Sequence, residues 1–169
     1  MSQQNSSKLT NEETITGSCL CGLVKFVVSL PSIGMINCHC SRCRKASGSA
    51  FGTFLHTTTD LFKWVHGEDD IINFIPKEGD PRPFCKQCGS HVPRVNNKEK
   101  HVIIPAGLLN EAPDLIPSVN IYIRSKAQWY LIKDDLQAFE ENAPNEFWAK
   151  YFVEFQERLS NKLDIHFDK

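Results

Sequence analysis

From Ile15 onward, short apolar runs alternate with turn-forming residues along the chain. The runs are "ITGSCLCGLVKFVVSLP", "GTFLHTTT", "FKWVHG", "IINFIP", "VPRVN", "HVIIPAG", "SVNIYIRS" and "QWYLI". They are rich in Val, Ile, Phe, Thr, Tyr and Trp and end at Gly, Pro, Asn or Asp, which predicts β-strands joined by turns. In "LVKFVV" the strand period of two sets Val24, Phe26 and Val28 on one face and Leu23, Lys25 and Val27 on the other. That strand is therefore expected to be covered on both sides. Runs this short and frequent predict a folded-over β sandwich or half-barrel rather than alternating βα units.

Two stretches break the β pattern. "SRCRKASG" predicts one or two helical turns stopped by Gly48. The second helix is expected from about Asn145 to Leu163, where Phe147, Tyr151, Phe155 and Leu159 recur every four residues beside Trp148 and Phe152. Pro144 and Asn145 supply its entry and cap. So aromatic a stripe must be covered, either by the chain's own β core or by a second copy in a homodimer. Residues 1–13 are rich in Ser, Asn and Gln, carry almost no apolar positions and are expected to be disordered. The organisation that follows is a β domain over 14–140 and a helical extension over 141–169.

At 169 residues with 41% hydrophobic content, the chain can close one real core. A formal net charge of −1 gives no reason to expect nucleic acid or an anionic membrane as partner. The start "MSQQNSSKLTNEET" has no apolar signal core, and runs such as "VIIPAGLL" are too short to cross a bilayer. A soluble cytoplasmic protein is expected. In that reducing compartment a disulfide framework is disfavoured, and the count of seven cysteines would leave one thiol over. All seven nevertheless fall in tight clusters, a spacing that points to metal binding.

The clusters are Cys19-x-Cys21, Cys38-x-Cys40-x-x-Cys43 and Cys85-x-x-Cys88-Gly. Residues i and i+2 of a strand share a face, so Cys19 and Cys21 can meet one ion. Cys-x-x-Cys-Gly is a chelating turn in which Gly89 permits a left-handed backbone. Cys38, Cys40 and Cys43 combine a strand end with a helix entry. A closed structural zinc takes four such ligands. The two isolated pairs supply four, leaving the contiguous three for a second ion. Cys19, Cys21, Cys38 and Cys40 could instead form one site, leaving Cys43, Cys85 and Cys88. A histidine could fill the vacancy, His39 and His91 being nearest and His56 and His101 reachable through folding. His39, between two cysteines, is expected to point away from the ion if that segment is extended. Every partition of seven thiolates leaves one site a ligand short. Three protein ligands and one exchangeable position is the count of a catalytic zinc. Zinc being borderline soft, a substrate thiolate is a suitable fourth ligand. Arg42, Arg44 and Lys45 stand beside that cluster and could receive the carboxylates of an anionic thiol.

"GSCLCGLVKF", "CHCSRCRKASGSAF", "FCKQCGSHV" and "IYIRSKAQW", in this order, resemble the glutathione-dependent formaldehyde-activating enzyme family, which also includes centromere protein V-like proteins. The resemblance spans roughly residues 15 to 140. It implies a mainly β fold of two zinc-bridged antiparallel sheets, a β-tent. It also implies two zinc ions per chain: a structural zinc on Cys19, Cys21, Cys85 and Cys88, and a catalytic zinc on Cys38, Cys40 and Cys43. The implied reaction is of the carbon–sulfur lyase class, joining glutathione as co-substrate to formaldehyde or another small aldehyde as S-hydroxymethylglutathione. Lys126 and Trp129 are implied candidates for lining the pocket. The chain departs from the family in carrying Gln128 where a proline is common, and in its aromatic tail after about residue 140. The alternative is a non-catalytic zinc-binding module that is structural or merely holds a thiol ligand.

Overall fold

The computed structural model describes residues 14–111 and 115–164. The expectation for residues 1–13 lies outside the described residues. The first long apolar run is two strands, β1 (Thr14–Ser18) and β2 (Lys25–Ser29), which pair antiparallel with Gly17 opposite Phe26. A Cβ on Gly17 would strike the Phe26 ring, so the aromatic lies flat across its neighbour strand only because position 17 has no side chain. β5 (Phe62–His66) pairs with the other edge of β2 and completes a three-stranded sheet. Val24, Phe26 and Val28 are buried, but Lys25 is exposed and Leu23 and Val27 are half-covered. Only one face of this strand is sealed, because its sheet has the core on one side alone.

The larger sheet grows around a strand that the apolar pattern does not mark. β3 (Gly34–Cys38) is buried along its whole length and pairs antiparallel with β4 (Gly52–Thr58). β4 pairs in turn with β9 (His101–Pro105), and β9 with β8 (Arg94–Asn96). On the other side of β3 lie β10 (Val119–Ile121) and β11 (Gln137–Ala138), both in parallel pairings. The six strands run in the order β11-β10-β3-β4-β9-β8. A third, two-stranded sheet joins β6 (Ile71–Phe74) to β7 (Arg82–Cys85). The fold is mainly β, but it comprises three sheets, and its largest is mixed rather than wholly antiparallel. The segment "QWYLI" forms no strand: Tyr130 N–H closes a turn on Ala127 O at 3.1 Å, and Trp129 and Leu131 are exposed.

β3 is sealed on both faces, whereas β4 is buried at Leu55 and Thr57 and only half-covered at Phe54 and His56. Met35 and Leu55 join Phe26, Val28, Val102 and Ile104 in the core under the three-stranded sheet. Ile36, Cys38 and Phe54 face the opposite way, into a second cluster with Val119, Ile121 and Ala143. Helices cover part of that second face. α1 (Ser41–Ser47) follows β3 directly and stops at Gly48, whose left-handed φ of 63° lets its N–H reach Arg44 O. α2 (Asn145–Asp164) lays Phe147 and Trp148 on the second cluster and buries Phe155 to 1% exposure. Full burial of a phenylalanine contributes about 1.5–3 kcal/mol. Two further contacts fix the helix: the Tyr151 ring occupies the space a Cβ would fill at Gly34, and Arg158 Nη2 donates to Ile33 O at 2.7 Å.

Candidate metal centre

Two groups of cysteines converge among the described residues, and neither includes a histidine. The first takes Cys19 and Cys21 from the β1–β2 connection and Cys85 and Cys88 from the end of β7 and the turn after it. Gly89, at φ 71°, donates its N–H to Cys85 O at 2.9 Å and folds this turn back on itself. Further hydrogen bonds aim the sulfurs: Val24 N–H reaches Cys19 Sγ at 3.3 Å, and Cys88 Sγ lies 3.3 Å from Ser90 Oγ. The Ser90 hydroxyl, then its backbone N–H, hold the Cys88 thiol down at about 5. Sγ–Sγ separations are 3.5 Å for Cys19–Cys21 and 3.8 Å for Cys21–Cys85. Metal–thiolate bonds of about 2.3 Å in a tetrahedron give edges of about 3.8 Å, so the donor set fits a closed four-coordinate site. Cys85 and Cys19 are buried while Cys21 is exposed, which places the group at the surface seam between two hairpins.

The second group is Cys38, Cys40 and Cys43, whose sulfurs lie within 4.8 Å of one another. Cys38 ends β3, Cys40 caps α1 by accepting the Cys43 N–H at 3.3 Å, and Cys43 turns inward from the helix. The strand-to-helix corner thus delivers three thiols from six residues. Hydrogen bonds from Cys38 and then Cys43 hold Cys40 down at about 2, while the same bonds from Cys40 and Cys43, with burial, push Cys38 far up. Three adjoining sulfurs ionise together only with a cation among them, so this set too has the chemistry of a metal ligand group. Gly52 lies opposite Cys38 in the register, where a side chain would meet the Phe54 ring and approach Cys43.

His39 points the other way. It is buried to 1% exposure, hydrogen-bonds Asn120 Oδ1 through Nε2 at 2.9 Å, and lies against the rings of Phe51 and Tyr130. Asn120 Nδ2 donates onward to Asp134 Oδ1 at 2.7 Å. This chain of contacts holds the middle of the Cys-His-Cys segment from behind.

In front of the three cysteines opens a cavity of about 470 Å³. Its floor is one face of the large sheet, and the strand register explains which residues reach it. Gly34, His56, Ile103 and Arg94 are partners in successive strands, so His56, Ile103 and Arg94 project on the side of Ile36 and Cys38. His101, two residues from Ile103, shares that side and meets His56 Nδ1 through Nε2 at 3.0 Å. Burial first, then His101 and Arg94, hold His56 down at about 3, and burial likewise lowers His101. Both imidazoles are therefore neutral, and His56 Nε2 is buried with no protein partner. Arg82 Nη2 lies 3.9 Å from Cys43 Sγ, and Arg94 is ion-paired to Asp80. Trp148, Tyr151 and Phe152 of α2 form the remaining wall.

Of the substrate contacts expected from sequence, Arg42 lines this cavity and donates to Glu78 O at 3.1 Å. Lys45 lies in a separate groove of about 380 Å³ with Arg42, Arg82 and His91. Arg44, half-buried on α1, lines neither. Lys126 donates to Tyr130 O at 3.3 Å and Trp129 is 74% exposed, and neither is among the residues around the cavity. Arg82, Arg94 and the α2 aromatics went unmarked as site residues, since no local motif announces them. Register brings Arg94 in, Arg82 arrives on the separate β6–β7 sheet, and the period of α2 reveals a buried stripe without naming what it covers.

A family model described as glutathione-dependent formaldehyde-activating enzyme matches residues 14–125. No curated protein matches the chain. Among solved structures, the crystal structure of a Rhodobacter sphaeroides protein, a structural-genomics target, is 19% identical and covers 59% of this chain and 91% of its own, with a TM-score of 0.47. The match extends from β1 through β10 and takes in all seven cysteines of the two groups. By that match the chain belongs to the glutathione-dependent formaldehyde-activating enzyme family.

Proposed function

We propose that this chain is a zinc-dependent enzyme of the carbon–sulfur lyase class that adds glutathione, or a similar thiol, to a small aldehyde such as formaldehyde. The observation that carries this reading is the division of the cysteines into a closed group of four and an open group of three facing a cavity. In it, Cys19, Cys21, Cys85 and Cys88 hold a structural zinc, and Cys38, Cys40 and Cys43 hold a second. When bound there, zinc supplies a cation that lowers the pKa of an incoming thiol and leaves room for its sulfur.

The chain's own residues then have defined tasks. Cys38, Cys40 and Cys43 set the position of the centre, and the His39–Asn120–Asp134 contacts stiffen the segment that carries them. The Arg82 guanidinium beside Cys43 adds positive charge where a thiolate or a developing alkoxide would sit. His56 Nε2, neutral and without a protein partner, can donate a hydrogen bond toward the aldehyde oxygen while His101 holds its Nδ1. The sulfur–carbon bond forms as the carbonyl π bond breaks, and the proton that leaves the thiol ends on the oxygen. No oxidant or reductant is needed. Thiol clusters of this kind suit a reducing, cytoplasmic setting, and no helix among the described residues is long and apolar enough to cross a membrane.

The test is two-dimensional NMR exchange spectroscopy on formaldehyde and glutathione with the zinc-loaded protein. Exchange faster than in protein-free buffer is expected, with return to the protein-free rate in Cys43→Ser. Wild-type exchange at the protein-free rate would favour a non-catalytic zinc module for this substrate pair.

A further inference from the structure

The matched family region ends at residue 125, whereas α2 begins at Asn145. The helix nevertheless completes the cavity over the three cysteines, and what it contributes is aromatic: Trp148, Tyr151 and Phe152. Its position is firmly held, with Phe155 buried, Tyr151 seated on Gly34 and Arg158 bonded to Ile33 O. Formaldehyde has two heavy atoms and needs little more room than one water, whose share of liquid volume is about 30 Å³. A cavity of about 470 Å³ is the size of a site for a substantial organic ligand.

The distribution of charge indicates which part of a ligand goes where. The cation nearest the cysteines is Arg82, while Arg94 is engaged by Asp80 and Arg42 by Glu78 O. The α2 wall presents no charged group to the cavity, which Ile33, Ile103 and Phe54 also line. The cavity's arginines, Arg42, Arg82 and Arg94, come from outside α2, so a thiol's carboxylates meet cations away from the helix. A hydrocarbon body joined to sulfur has an apolar surface to cover and an anchoring end beside Arg82.

We infer that this cavity selects aldehydes with an aromatic or branched aliphatic body, held as their thiol adducts, and that Trp148, Tyr151 and Phe152 determine that specificity. The inference rests on the reading of Cys38, Cys40 and Cys43 as an open, thiol-accepting centre. Bond changes are those of simple addition: the sulfur–carbon bond forms, the carbonyl π electrons pass to oxygen, and the thiol proton follows them.

Phenylmethanethiol is a direct probe, because its ring stands one carbon from sulfur, as the ring of an aromatic aldehyde does in the adduct. Its binding to the zinc-loaded protein would be measured by isothermal titration calorimetry beside that of 2-mercaptoethanol. Phenylmethanethiol is expected to bind about tenfold more tightly, since the ring leaves water for an apolar wall. That ratio should fall toward one in Trp148→Ala and in Phe152→Ala, and largely recover in Trp148→Phe. Phe152 is 45% exposed at the cavity wall, so its truncation separates specificity from folding. Far-UV circular dichroism and zinc content would be checked for each variant. Equal affinity for the two thiols, or a ratio unchanged in Phe152→Ala, overturns the inference while leaving the open centre intact. Binding of neither thiol overturns the open centre itself, and the inference with it.

Discussion

The two cysteine groups are built from one kind of side chain but differ in the number of chain segments that meet at each. At the first, two separate hairpins bring two thiols apiece, with sulfur separations of 3.5 and 3.8 Å already close to tetrahedral edges. Its neighbours, Val24 and Val92, are core residues of the seam between those hairpins. At the second, a single strand-to-helix corner supplies three thiols, and the space where another segment could have brought a fourth is the cavity. A site clipped together from distant segments favours stability. A site built on one corner leaves the fold largely independent of it and keeps a face open.

The largest expected effect comes from breaking the first group. Cys85 is 0% exposed, and Cys85→Ser should cost roughly 5 kcal/mol or more, enough to abolish cooperative unfolding at ambient temperature. Cys40→Ser, at a helix cap where serine is itself a preferred residue, should cost less than about 1 kcal/mol in zinc-free protein. Thermal melts with and without a chelator would measure both; equal losses would erase the contrast between a structural and an open group.

Next in size is the pH dependence of the cavity floor. The unfolded chain takes up the His56 proton near 6.5, whereas the folded imidazole stays neutral down to about 3. Below 6.5 the unfolded state therefore holds more protons, so stability is full above that value and falls as pH falls. Between pH 6.5 and 5 the loss is about 2 kcal/mol. His56→Gln should flatten that slope in urea denaturation at matched metal content, and an unchanged slope would remove the neutral pair from the account. A smaller effect is expected of Gly34→Ala, whose new Cβ would strike the Tyr151 ring. Displacing the ring should cost about 1–2 kcal/mol and shift α2 away from the cavity. The fall in melting temperature and the Trp148 fluorescence would report it, while the four-cysteine group should keep its metal.

Much of this was legible locally. Cys-x-x-Cys-Gly, the Gly48 stop and the four-residue aromatic period each depend on neighbours a few positions apart, so residue type and spacing suffice to read them. β3 was not legible because alternation appears only when one face meets water, and "GMINC" is buried on both. "QWYLI" misled for the opposite reason: its apolar residues satisfied a strand propensity that no neighbouring edge was present to use.

The sequence by itself determined that seven thiols fall in clusters spaced for metal binding, that one set of them would be a ligand short, and that an aromatic helix would need covering. Only the tertiary structure decided that Cys19 and Cys21 meet Cys85 and Cys88 rather than Cys38 and Cys40. It alone set His56 beside His101 and turned Trp148 and Phe152 onto the open group. Those are long-range pairings, chosen by strand register and by which buried faces must meet, and no spacing along the chain encodes either one.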